Sequence, residues 1–166
     1  MMRILGIDPG FGRLGYGVIE VAGRDQCRAL SFGCIETDKQ APHAERLRQI
    51  FVGVNKLCDE YAPTRMAVEE LFFHKNVNTA LGVGEARGVV LLVAAERGIP
   101  VSEYQPLTVK LTITGDGRAK KQQIQKMIQL LLHLDQPPKS DDAADALAVA
   151  LVAARSAWRE DLARNF

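Results

Sequence analysis

The sequence predicts a single mixed α/β domain over residues 1–166, built on a five-stranded sheet. The sheet is an antiparallel meander followed by parallel strands, with helices on both faces. Three observations predict it. Short apolar runs joined by tight turns open the chain. The apolar period then switches from two to three-and-four, the spacing of an amphipathic helix. From there strand-like and helix-like segments alternate, which favours helices covering both faces of a mixed sheet.

The elements follow in order. Arg3 to Ile7 is a short apolar run closed by Asp8-Pro9-Gly10, a turn signal. Gly15 to Val21 alternates Tyr16, Val18 and Glu20 against Gly17, Ile19 and Val21, which predicts a strand with one buried face. Ala29 to Ile35 is a weaker third strand. From Ala44 to Tyr61, residues Leu47, Ile50, Phe51, Val54, Leu57, Cys58 and Tyr61 form one helical stripe, and Pro63 ends it. Met66 to Val68 reads as a buried fourth strand, with Glu69 and Glu70 at its end. Asn76 to Arg97 is a second helix and Val101 to Tyr104 a fifth strand. Gln122 to Leu134 is a third helix. After Pro137-Pro138, Ser140 is placed to cap a last helix from Asp141 to about Arg159. The order β-β-β-α-β-α-β-α-α is that of the RNase H-like architecture.

Composition narrows the function classes. Hydrophobic residues make up 47% and charged residues 25%, a share suited to a globular domain with a real core. Asp8 interrupts the N-terminal apolar stretch too early for a secretory signal, and no apolar run approaches the ~20 residues of a membrane span. A soluble, cytoplasmic protein with no membrane partner is expected. Cys27, Cys34 and Cys58 have neither disulfide nor zinc-site spacing and are expected to be reduced thiols. The net charge of +1 is not that of a strongly basic nucleic-acid binder.

The informative residues are acids in apolar settings. Asp8 ends the first strand and Glu69 the fourth. Asp142 and Asp145 open a helix that is almost wholly apolar afterwards, and their spacing of three puts them on one face. If that helix lies on the sheet, its first turn meets the strand ends. Four carboxylates converging there would repel by about 4 kcal/mol for a pair about 4 Å apart at an effective dielectric of ~20. Shared protons or bound cations must relieve this. An oxygen-only donor set suits Mg²⁺, with Mn²⁺ as a substitute, and two such ions suit phosphodiester hydrolysis. Taken singly, each acid has a plainer reading: Asp142 complements the helix dipole, Asp8 is a turn residue, and Glu69 and Glu70 are a solvated strand end. Asp145, one turn into an apolar helix, is hardest to explain that way.

Five segments resemble one family. They are Ile4-Leu5-Gly6-Ile7-Asp8-Pro9-Gly10 with Gly15-Tyr16-Gly17-Val18, Ala67-Val68-Glu69-Glu70-Leu71-Phe72, Ala86-Arg87-Gly88-Val89, Val109-Lys110, and Asp142-Ala143-Ala144-Asp145-Ala146-Leu147-Ala148. In this order they look like the RuvC family of Holliday-junction resolvases. The resemblance implies metal-binding catalytic carboxylates at Asp8, Glu69, Asp142 and Asp145. It also implies a homodimer that nicks two strands of a four-way DNA junction symmetrically in recombination and repair, and collaboration with the RuvA–RuvB branch-migration machinery. Asp141 is an additional acid beside the matched pair, read here as a helix cap in preference to an alternative ligand.

Basic and aromatic residues complete the candidate site. Lys110, Arg118, Lys120, Lys121 and Lys126 gather around Gly115-Asp116-Gly117 and the helix after it, a cluster suited to phosphates. Each lysine taken alone also fits a solvated helix start. By resemblance Lys110 and Lys121 belong to the active site and DNA, with Lys121 catalytic; Lys120 leaves open which neighbour faces inward. Phe72 and Phe73 are adjacent aromatics in a polar loop, either core anchors or stacking platforms for an unpaired base, a role the resemblance gives to Phe72. Lys75 follows them as a further DNA contact. Gly82, Gly84 and Gly88 in the second helix suggest close packing, by resemblance near the dimer interface, or against the helix's own sheet. With the four acids set aside as ligands, the remaining charge is +5. Two other readings compete: a fragment of an actin-like or sugar-kinase ATPase, and a nuclease of the same fold acting on another substrate such as an RNA–DNA hybrid. A junction-binding module without catalysis is disfavoured by the intact acids.

Overall fold

The computed structural model describes residues 1–23, 26–70 and 77–164. Strands β1 (Met2–Asp8), β2 (Arg13–Gly23) and β3 (Gln26–Glu36) form the meander. They are followed by α1 (His43–Tyr61), β4 (Arg65–Glu69), α2 (Val77–Glu96) and β5 (Val101–Tyr104). Three helices close the chain: α3 (Pro106–Thr114), α4 (Lys121–Leu131) and α5 (Asp141–Arg164). The five strands make one sheet of order β3-β2-β1-β4-β5. Strand β2 is antiparallel to both neighbours, and β1, β4 and β5 run parallel. The mixed sheet is thus the one the apolar pattern predicts.

Strand alternation divides the core in two. Leu5, Ile7, Leu14, Val18, Met66 and Val68 face α1 and α2, where Ile50, Val54, Ala86, Val90 and Val93 meet them. Ile4, Ile19 and Ala67 face the other way, toward α5 and its flanking helices α3 and α4. Large apolar side chains buried this completely contribute about 1.5–3 kcal/mol each. Helix α5 is buried on nearly all sides: every residue from Ala146 to Ala154 is at most 5% exposed.

Two glycines let α5 lie this close. A Cβ on Gly6 would stand 2.1 Å from the Ala146 carbonyl oxygen, and one on Gly15 would stand 2.1 Å from that of Asp142. No side chain can be accommodated against backbone at that distance, so helix and strands meet main chain to main chain.

Three expectations are corrected. Strand β2 is buried on both faces, because α5 covers one and α1 the other; Glu20 is therefore only 5% exposed. It is tolerated because Arg3 donates to it at 3.1 Å and Arg28 at 2.6 and 2.9 Å, and these partners lower its pKa. Helix α3 is unforeseen. Thr108, Val109, Thr112, Ile113 and Thr114 are β-branched and weak helix formers. Its ends nevertheless carry helix signals: Pro106 stands in the first turn, and Gly115 closes it in the left-handed region at φ 77°. Helix α4 stops at Leu131, short of the expected Leu134, where His133 turns left-handed at φ 52°.

Candidate active site

Sheet register brings the first two acids together. Ile7 of β1 pairs with Val68 of β4 in parallel, so the next residues, Asp8 and Glu69, end neighbouring strands. By alternation both share the α5 side of the sheet with Gly6 and Ala67. On the other side of Asp8 the register partner is Gly15. Gly15 is also where the backbone of Asp142 rests. The seat that packs α5 thus delivers its first turn, with Asp142 and Asp145, to the strand ends.

The electrostatics register that convergence. Burial raises the Asp8 pKa to about 8, aided by Glu69, Asp145 and Asp142 in that order. Burial and Asp145 raise Glu69 to about 7, while Lys110 and Lys121 oppose the rise. Asp145 is raised by burial, with Lys121 the largest opposing influence. A side-chain hydrogen bond joins Asp8 to Glu69, so the two carboxyl groups share a proton as a pair. Asp142 is relieved differently: the Arg13 guanidinium donates to its Oδ2.

Among the described residues, no group of three or more His, Cys, Asp or Glu side chains is drawn together tightly enough to hold an ion as it stands. The shared proton and the Arg13 pair occupy oxygens that an ion would use. The donor chemistry nonetheless fits hard divalent cations: four carboxylates, no sulfur or imidazole, and mutual repulsion that positive charge would remove.

A cationic flank borders the acids. Lys110 is half-buried on α3, inside a helix that the sequence pattern did not reveal, and both it and Lys121 act electrostatically on Glu69 and Asp145. Lys121 is the lysine that faces the site. Its Nζ donates to Asp141 at 2.9 Å, whereas the neighbouring Lys120 supplies the N-cap backbone of α4, its N–H donating to Gln123 Oε1 at 2.7 Å. Arg118, Lys120 and Lys126 are exposed and form no ion pair among the described residues. The capping expectation for Asp141 is corrected: the Ala143 N–H donates to Ser140 Oγ at 3.4 Å, so Ser140 is the cap. Phe72, Phe73 and Lys75 lie outside the described residues.

Arg13 escaped the sequence reading. The available signal was its spacing: it precedes Gly15, the residue paired with Asp8, by two positions on the hairpin that follows the Asp-Pro-Gly turn. The glycines of α2 differ in their surroundings. Gly82 packs on the Phe11 ring, which stacks on His43 and lies under Arg46, while Gly88 meets nothing within 4 Å.

Carboxylates at the ends of the first and fourth strands and on the last helix, set on a sheet of this order, define a nuclease of RNase H-like fold. The family described as "Crossover junction endodeoxyribonuclease RuvC" matches residues 4–153. A protein of that name from Moorella thermoacetica is 52% identical over 160 residues, covering 96% of this chain and 95% of its own. Another from Thermotoga petrophila is 52% identical over 149 residues, covering 90% of each. The structure of Thermus thermophilus RuvC in complex with Holliday junction substrate superposes with a TM-score of 0.91 at 38% identity, covering 96% of this chain and 97% of that one. The yeast mitochondrial Holliday junction resolvase Ydc2, 12% identical with a TM-score of 0.68 over 99% of this chain and 85% of its own, shares the fold. The chain belongs to the RuvC family of crossover junction endodeoxyribonucleases.

Proposed function

We propose that this protein resolves four-way Holliday junctions in recombination and repair, by hydrolysing one phosphodiester in each of two opposed strands. The observation that carries the reading is the meeting of Asp8, Glu69, Asp142 and Asp145 at one end of the sheet beside the Lys110 and Lys121 ammonium groups. Asp8, Glu69, Asp142 and Asp145 would hold Mg²⁺, or Mn²⁺ in its place, two ions per site; such ions supply an activated water and neutralise charge developing on the phosphate.

The chain's own side chains do the rest. The carboxylates fix the donor geometry because both strand ends and the helix that carry them are embedded in the core. Lys121 offers its ammonium to the scissile phosphate, and Lys110 reinforces the positive potential from α3. Arg118 and Lys120, exposed at the rim, bind flanking backbone phosphates, which sets register without reading sequence. Phe72 and Phe73 are assigned to stacking on bases unpaired at the crossover, and Lys75 to a further DNA contact.

Symmetric nicking needs two sites, and we assign the second to another copy of this chain. The outer stripe of α2 supports this: Leu81 is 66% exposed and Leu92 52%, with Gly88 between them leaving room for close approach. Family membership supports collaboration with RuvA–RuvB and action on DNA in the cytoplasm. Among the described residues no helix is long and apolar enough to cross a membrane.

The test is incubation with a labelled synthetic four-way junction, a linear duplex and an RNA–DNA hybrid, each with Mg²⁺ and with EDTA. Paired cuts at symmetric positions of the junction, abolished by EDTA, are expected. Preferential cutting of the hybrid, or cutting that persists in EDTA, would overturn the reading.

A further inference from the structure

Asp141 is not one of the four matched carboxylates, although its charge acts on Asp145, and with Ser140 capping α5 it has no capping duty either. Both its oxygens are nonetheless engaged. Oδ2 accepts from Lys121 Nζ at 2.9 Å and Oδ1 accepts from Gln125 Nε2 at 2.9 Å. Lys121 and Gln125 stand four apart on α4 and so share a face. One carboxylate at the start of α5 therefore clamps two side chains on the first turns of α4.

We propose that Asp141 is a positioning residue: it holds the Lys121 ammonium at the rim of the carboxylate cluster, ready to meet the scissile phosphate. The inference rests on the nuclease reading of that cluster.

Lys121 needs such a tether. Its side chain is 68% exposed and projects from the very start of its helix. A lysine stem free in solvent samples many rotamers, and confining it costs conformational entropy. An exposed ion pair adds little to stability, so the pair's consequence is where the ammonium stands. The Asp141 contact uses one of the ammonium's three N–H groups and leaves two for a phosphate. Gln125 fixes the carboxylate from its other side, so it cannot simply swing with the lysine.

The experiment is a double-mutant cycle with an independent labelling readout. Junction cleavage is followed in single turnover, at saturating enzyme and Mg²⁺, for wild type, Asp141→Asn, Lys121→Met and the double variant; junction affinity is measured in Ca²⁺. Asp141→Asn keeps the shape and the Gln125 contact while removing the charge. It is expected to slow cleavage about tenfold with junction affinity and thermal stability unchanged, and to cost nothing further when Lys121 is already Met. Asp141→Glu is expected to restore part of the rate. An equal loss in both backgrounds, a loss of metal affinity, or no loss at all would overturn the proposal.

Competitive amine acylation of the DNA-free protein reads the tether without any cleavage. Lys121 is expected to react several-fold more slowly than Lys120, and Asp141→Asn to erase the difference. Equal reactivity in the wild type would overturn the tether even in an active nuclease. A protected Lys121 in a wild type that cuts no junction would overturn the nuclease reading and the positioning role, and leave the contact itself standing.

Discussion

Arg13, the first residue of β2, donates its Nε–H to the carboxylate of Asp142 at the head of α5, a partner 129 positions later in the chain. A cation from the protein itself thus neutralises one of the four acids. This charge competes with any metal ion that would use the same oxygen. Arg13→Ala is expected to tighten Mn²⁺ binding in the absence of DNA by roughly threefold, since half-exposed pairs of this kind are weak. Titration calorimetry with Mn²⁺ checks it; unchanged or weaker binding would show that the guanidinium does not compete.

The four acids divide in how replaceable they are. Asp8, Glu69 and Asp145 are half-buried, and burial foremost, with neighbouring carboxylates adding to it, raises their pKa values. Asp8→Asn, Glu69→Gln and Asp145→Asn are each expected to lower junction cleavage by about a thousandfold or more, with junction binding in Ca²⁺ retained. Gel-shift and cleavage assays on the same preparations separate the two effects. A variant that cuts like the wild type would remove its residue from the mechanism.

The Asp8–Glu69 pair makes stability depend on pH in a defined direction. Unfolded carboxylates titrate near pH 4, whereas the folded pair keeps protons up to about 7 and about 8. Between those limits the folded state holds more protons than the unfolded chain, so metal-free stability falls as pH rises and levels off above about 8. Divalent ions replace the protons, so the gain in Tm from Ca²⁺ grows across the same window. Melting curves in EDTA and in Ca²⁺ at several pH values measure both trends, and Asp8→Asn is expected to flatten them. Metal-free curves equally steep in wild type and Asp8→Asn would count against the shared proton.

Gly15 links the packing of α5 to the site. Gly15→Ala drives a methyl group to 2.1 Å from the Asp142 carbonyl oxygen. The helix must lift, at a cost of about 3 kcal/mol. The variant is expected to lose metal affinity along with Tm, measurable by thermal melts with and without Mn²⁺. A loss of stability with metal affinity intact would mean that Asp142 does not depend on that seat.

Much of this architecture is legible in the sequence because the sheet is framed by apolar runs and the acids stand out against them. Asp145 is conspicuous for being polar one turn into a buried helix. Arg13 is not, because a basic residue near a turn looks ordinary until register and helix seating are known. The same limit applies to Lys120 and Lys121, neighbours of one chemical type separated only by where α4 begins. Helix α3 is hidden by its threonines, whose local preference is overridden by the packing of Val109 and Ile113 and by Arg155, which donates to the Thr112 carbonyl at 2.6 Å. The two-sided burial of β2 is hidden by Glu20, which signals solvent unless Arg3 and Arg28 are known to meet it.

The backbone-to-backbone seat of α5 on Gly6 and Gly15 predicts that the carboxylate cluster has no melting point of its own. Its acids ride on the most deeply embedded elements of the domain, so local fraying cannot release them one at a time. Heating or denaturant should abolish ion capture and tertiary structure in a single step. Amides around Ala146 should exchange with solvent only when the whole molecule opens.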